Sequence, residues 1–203
     1  SNRGVERTIK NGLIACVDWL SITFPTCYFL QEIMDCIGSY LGDVRYINIH
    51  GKYGYKSCLW SNGIFIFFDG HNDEMGTHLQ ITGEGIRYLE SSKNFSIVDF
   101  FEQLSKLDES YNITRIDLAI DDLKGYFKIP QIIKKAENAE ISSRFKTASL
   151  IQKIQLSDGS NKGNTIYFGS PSGNIQIRMY EKNYEMSAKG IEHNITIWNR
   201  TEL

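Results

Sequence analysis

The sequence predicts an α+β fold, an antiparallel β-sheet with helices packed on one side. Three observations carry that expectation. Several stretches alternate apolar and polar residues with period two, as half-buried strands do. Consecutive strands are joined by short turn segments, Asn62-Gly63 and Gly169 to Gly173 among them, which reads as a series of hairpins. Helical spacing occurs in only a few segments set between those strands.

In order along the chain, Leu13 to Phe24 reads as a strand closed by Pro25, and Tyr28 to Leu41 has helical spacing at Phe29, Ile33, Ile37 and Leu41. Ser57 to Asp69 reads as one or two strands joined near Asn62-Gly63, followed by a strand from Thr77 to Thr82 and a short helix from Ile86 to Glu90. A helix is expected from Ser96 through Leu107. Asn112 to Asp122 is the cleanest strand, with Ile116, Leu118 and Ile120 on one face and Arg115, Asp117 and Asp121 on the other. Pro130 opens a helix to about Ala139, since proline suits a first turn. The remaining strands are Thr147 to Leu156, Asn164 to Phe168, Ile175 to Lys182 and Ile195 to Leu203.

A chain of 203 residues is long enough for one domain or two closely packed ones. Its formal charge of -2 excludes a global basic field, so any nucleic-acid partner must meet a locally basic face. Such clusters occur at Lys134-Lys135, from Arg144 to Lys153 and from Arg178 to Lys182. Cys16, Cys27, Cys36 and Cys58 show neither CxxC nor Cys/His spacing, so a zinc site is not supported and reduced thiols are expected. No apolar run is long enough for a membrane span, and a cytoplasmic protein is expected. Ser1-Asn2 reads as a cloning remnant. The chain stops mid-strand by pattern, which suggests a domain excised from a longer protein.

Four strands carry polar residues at period two. They hold His78 and Gln80; Arg115, Asp117 and Asp121; Arg178, Tyr180 and Lys182; and Arg200 and Glu202. Arg178 and Lys182 flank Tyr180 on its own face. They are expected either to hold a phosphate beside the phenol and favour its ionised, nucleophilic form, or to be solubilising neighbours of an ordinary strand tyrosine. Asp117 and Asp121 lie about 13 Å apart along a strand, too far to share one ion. One of them, with His78 and Glu202 from neighbouring strands, would suit Mg²⁺ or Mn²⁺. The same alternation of Arg and Asp also fits a cross-strand ladder of ion pairs.

Thr114-Arg-Ile-Asp-Leu-Ala-Ile-Asp121 resembles the core motif of the replication initiation factor family, the rolling-circle initiators of plasmids, phages and integrative conjugative elements. Supporting similarities lie in order along the chain: Val17 to Thr23, His78 to Gly83, Thr165 to Ser170, Ile177 to Lys182 and Trp198 to Leu203. The resemblance implies a single catalytic domain over 1–203 that nicks and transfers a DNA strand. It places the nucleophile on Tyr180, which would keep the 5′ phosphate and free a 3′ hydroxyl for replication. Tyr184 is the competing nucleophile.

A divalent metal, Mg²⁺ or Mn²⁺, is also implied, with His78, Asp117 and Glu202 as ligands and Arg178 and Lys182 beside the nucleophile. Asp18, Gln80, Arg115, Asp121 and Arg200 are expected in supporting or DNA-binding roles. The related folds carry a His-hydrophobe-His pair, and here the second imidazole is replaced by Gln80. DNA at an origin, a host helicase and a second copy of the chain are the partners implied. The other reading is a non-catalytic DNA-binding module on the same fold, within a regulator of a mobile element.

Overall fold

The computed structural model describes residues 12–25 and 29–203. Tyr28 and Cys27 lie outside the described residues. The chain divides into two compact units. Among the described residues, the first holds 17–117 and the second holds 12–16 with 118–203.

In the first unit the strands run in the order β2 (Ile47–His50), β3 (Tyr55–Ser61), β4 (Ile64–Gly70), β5 (Thr77–Thr82), β1 (Leu13–Phe24), all antiparallel where their pairing is described. Alternation decides which face is buried. Leu20, Ile22 and Phe24 of β1, Ile64 and Ile66 of β4 and Leu79 and Ile81 of β5 are all fully buried. They pack against Ile33 and Ile37 of α1 (Leu30–Leu41), Ile86 and Leu89 of α2 (Gly83–Leu89), and Phe100 and Leu104 of α3 (Ile97–Leu107). Truncating one of these, such as Leu79→Ala, costs about 2–5 kcal/mol.

The Asn62-Gly63 turn has φ of 43° and 81°, the left-handed pair that a two-residue hairpin requires. Thr82 Oγ1 donates to the Gly63 carbonyl at 3.0 Å and accepts from Gly85 N–H at 3.4 Å, so one hydroxyl ties the hairpin to the first turn of α2. That cap explains why α2 begins at Gly83 and not at Ile86 as expected. Ser96 caps α3 in the same way, accepting from Asp99 N–H at 3.4 Å.

The second unit, which takes β6 (Asn112–Asp122) from residue 118 onward, runs in the order β6, β10 (Asn199–Glu202), β9 (Ile177–Glu181), β8 (Asn161–Phe168), β7 (Ala148–Ile154), again antiparallel. Its core is smaller: Ile129 and Ile133 of α4 (Ile129–Glu137) pack on Ile166, Phe168 and Met179. The α+β class with antiparallel sheet and packed helices is therefore correct. Asp122, fully buried, accepts N–H bonds from Lys124, Gly125 and Phe127 at 2.9, 2.8 and 3.0 Å and so fixes the loop after β6.

Two boundaries differ from expectation. The strand bearing Tyr180 stops at Glu181, and Lys182 begins a helix, α5 (Lys182–Ala188), whose entry is set by Lys182 N–H donating to the Trp198 carbonyl at 2.7 Å. The last strand is Asn199–Glu202, shorter than Ile195 to Leu203.

Candidate active site

Register places the second unit's polar side chains in rows. Arg200 lies opposite Asp121 on one neighbouring strand and opposite Tyr180 on the other. Glu202, two residues on and facing the same side, lies opposite Arg178. The shortness of β10 is no handicap, because these two residues are enough to join three strands.

Tyr180 is 2% exposed. Its hydroxyl donates to Glu202 Oε1 at 2.7 Å and accepts from Lys182 Nζ at 3.0 Å. The Arg178 guanidinium lies over the Tyr180 ring, 3.9 Å from its centre, and donates to Glu202 Oε2 at 3.2 Å, while its Nε is buried without an acceptor. Lys182 stays within reach of the phenol although it has left the strand, because the first turn of α5 carries it over the same group. Glu185 holds Lys182 at 2.6 Å and Lys189 at 3.0 Å. Burial works against charge on Glu185, but the hydrogen bonds and positive charge of the two lysines hold its carboxyl down at about 2.

Behind this group, Arg200 and Asp121 form a two-pronged ion pair at 2.6 and 2.7 Å, at 3% and 1% exposure. Arg200 also comes within 3.9 Å of Glu202 Oε1.

One expectation is corrected here. Arg178 and Lys182 do not prevail, and the surroundings as a whole favour the protonated phenol. Burial, then the negative charge and accepting oxygen of Glu202, push the Tyr180 hydroxyl far above the ordinary phenol range, with Arg200 only partly opposing them. The resting tyrosine is a protonated donor. The cations are also engaged, Arg178 with Glu202 and Lys182 with Glu185.

Each of the expected metal ligands His78, Asp117 and Glu202 has another partner. His78 Nδ1 is 2.8 Å from Thr23 Oγ1, and its ring sits among Tyr53, Tyr55 and Phe67, where burial lowers its pKa. Asp117 accepts from Arg115 Nε at 2.8 Å, and Arg115 stacks 4.4 Å over Trp19. Among the described residues no three His, Cys, Asp or Glu side chains are placed to hold an ion, so the residues present do not fit the metal that the resemblance implies. Asp18 pairs with Arg87 at 3.5 Å, and Gln80 is buried between Ser21 and Phe65 in the sheet register. The reason is local: partners on the same strand, a neighbouring strand or a helix take each carboxylate first.

Tyr184, on α5, is half-buried against Gly163, where an added Cβ would sit 3.1 Å from the tyrosine Cβ. Among the described residues, its hydroxyl has no carboxylate or lysine partner such as those of Tyr180. Two contributors went unread in the sequence. Glu185 was signalled by its i+3 and i−4 spacing to Lys182 and Lys189 once a helix starts at Lys182. The burial of the Asp121–Arg200 pair had no comparable signal.

The profile of the family described as "Replication initiation factor" matches residues 111–203. The profile described as "Rolling Circle replication initiation protein N-terminal domain" matches residues 14–106. A solved rolling circle replication initiator protein from Geobacillus stearothermophilus is 38% identical, with a TM-score of 0.81, covering 94% of this chain and 73% of that one. The chain belongs to the rolling-circle replication initiators. It is also 34% identical over 217 residues to a protein of Bacillus subtilis (strain 168) named as a DNA relaxase, NicK. The whole of the chain matches there, and it spans 60% of that relative's length. Among the described residues of this initiator, no helix is long and apolar enough to cross a membrane.

Proposed function

We propose that this initiator nicks one strand of DNA at an origin through Tyr180. The observation that carries the reading is the placement of the Tyr180 hydroxyl between the Glu202 carboxylate at 2.7 Å and the Lys182 ammonium at 3.0 Å. A phenol that is protonated at rest needs a base at the moment of attack, and Glu202 is already its acceptor. Tyr180 Oη bonds to the scissile phosphorus as its proton passes to Glu202. The bond from phosphorus to the 3′ oxygen breaks, leaving a 5′-phosphotyrosine and a 3′ alkoxide. That oxygen takes a proton from solvent. The same steps run backwards rejoin the strand.

Arg178 and Lys182 would turn from Glu202 and Glu185 toward the phosphate, and the buried Arg178 Nε is a donor awaiting an oxygen. Family membership argues for including Mg²⁺ or Mn²⁺ in the assay, but no step is assigned to an ion, since the expected ligands do not fit one.

The test is incubation of the protein with supercoiled DNA carrying its own origin, with Mg²⁺ or Mn²⁺. The expected result is relaxation and a covalent protein–DNA adduct that Tyr180→Phe abolishes and Tyr184→Phe retains. An undiminished adduct in Tyr180→Phe would overturn the assignment. DNA binding without any adduct would favour the non-catalytic binding module instead.

A further inference from the structure

We propose that the β7–β8 ribbon is a docking element for duplex DNA beside the nick site, an inference that rests on the DNA-nicking reading above. Every residue from Lys146 to Gly159 is exposed, and all of β7 is exposed on both faces. A strand normally buries at least one face, so this one contributes almost nothing to the core and leaves Leu150, Ile151 and Ile154 in water at 39%, 48% and 59% exposure. Residues 144–162 carry Arg144, Lys146, Lys153 and Lys162 against the single acid Asp158, a balance of +3. The whole chain is -2, so the rest carries -5. Arg144, Lys146 and Lys153 are in no ion pair among the described residues, whereas Arg178 and Lys182 at the tyrosine are both paired.

The ribbon is also tied to the site by register: Ile151 lies opposite Thr165, and Thr165 opposite Tyr180. Whatever the ribbon holds is thereby set in fixed register with the nucleophile. β8 pairs with β9 over Thr165–Phe168, and the outer hairpin, residues 152–164, lies beyond that pairing as two strands, a ribbon of a size that the major groove of B-form DNA admits. The exposed apolar side chains would equally suit a second copy of the chain. Charge decides between them, because pairing two such ribbons brings two balances of +3 together, while the phosphate backbone attracts them.

The experiment measures binding of the whole chain by fluorescence anisotropy against salt, using a labelled duplex with one single-stranded arm and, separately, that arm alone. For the duplex, the double variant Lys146→Gln/Lys153→Gln is expected to lower the log–log salt slope by about two and to weaken binding. Binding of the arm alone and nicking of a single-stranded oligonucleotide should be unchanged. Both lysines are exposed, so circular dichroism should show an intact fold. An unchanged slope overturns the proposal, as does an equal loss on the single-stranded arm. A dimer that Leu150→Asp splits, with duplex affinity unaltered, would overturn it in favour of a second copy. If the wild type forms no covalent adduct yet the slope still falls, the nicking reading fails and the docking surface stands.

Discussion

Arg200 and Asp121 meet through two hydrogen bonds at 2.6 and 2.7 Å with almost no exposure, on neighbouring strands in direct register. Arg200 is also opposite Tyr180, so the pair is the floor on which the tyrosine group rests. Removing one partner strands the other's charge away from water. Asp121→Ala or Arg200→Ala should therefore cost about 3–5 kcal/mol. For a chain of this size that is a fall in Tm on the order of 10 °C, checked by calorimetry. A change of less than about 2 °C would show that the pair carries little of this unit's stability.

Glu202 accepts the proton of Tyr180. Glu202→Gln keeps the shape and removes the base, so the rate of adduct formation should fall by about 10²-fold or more while DNA affinity is retained. Single-turnover nicking measures it, and an unchanged rate would remove Glu202 from the proton path.

Tyr180 also sets a pH limit. Its folded pKa is raised above the ordinary value of 10.0, first by burial and then by Glu202. Its stabilising contribution is then complete below about pH 10 and is lost as pH climbs beyond it, where the unfolded chain ionises and the folded one does not. Thermal melts across that range should show a steeper alkaline decline in the wild type than in Tyr180→Phe.

Glu185 works at the opposite end of the scale. Its carboxyl is held down at about 2 against an ordinary 4.5, so its contribution is present above about pH 4.5 and is lost as pH falls toward 2. Glu185→Gln should flatten the acid limb of the stability curve. Thermal melts taken from neutral pH down toward pH 2 measure it.

His78 is enclosed by rings and engaged with Thr23. His78→Ala should destabilise the first unit by about 1–3 kcal/mol through its lost contacts and the stranded threonine. Any Mn²⁺-induced rise in Tm should be the same in the variant and the wild type. A rise seen only in the wild type would return His78 to the metal.

Strand positions were legible because β1, β5 and β6 alternate cleanly, and the strands observed at 13–24, 77–82 and 112–122 match the expected ones residue for residue. The Asn62-Gly63 turn was equally plain. β2 was not, because it is only four residues long and its alternating Ile47 and Ile49 are both exposed. The start of α5 was hidden since Lys182 continues the alternation of β9. The tyrosine and its two cations were legible as a group, but their electrostatics were not. Whether a cation ionises a phenol depends on burial and on the nearest carboxylate, and neither is written in the spacing of Arg178, Tyr180 and Lys182.

The adjacent aspartates that end β6 have a consequence for the chain's choice of pairing. Asp121 is satisfied by Arg200 on one side of the strand, and Asp122 by three loop N–H groups beyond its other side. A slip of one residue would send each carboxylate to the side lacking its partners and strand at least one charge away from water. The pair makes β6 a strand with one admissible alignment, which keeps Arg200, and through it Tyr180, at a single address in the sheet.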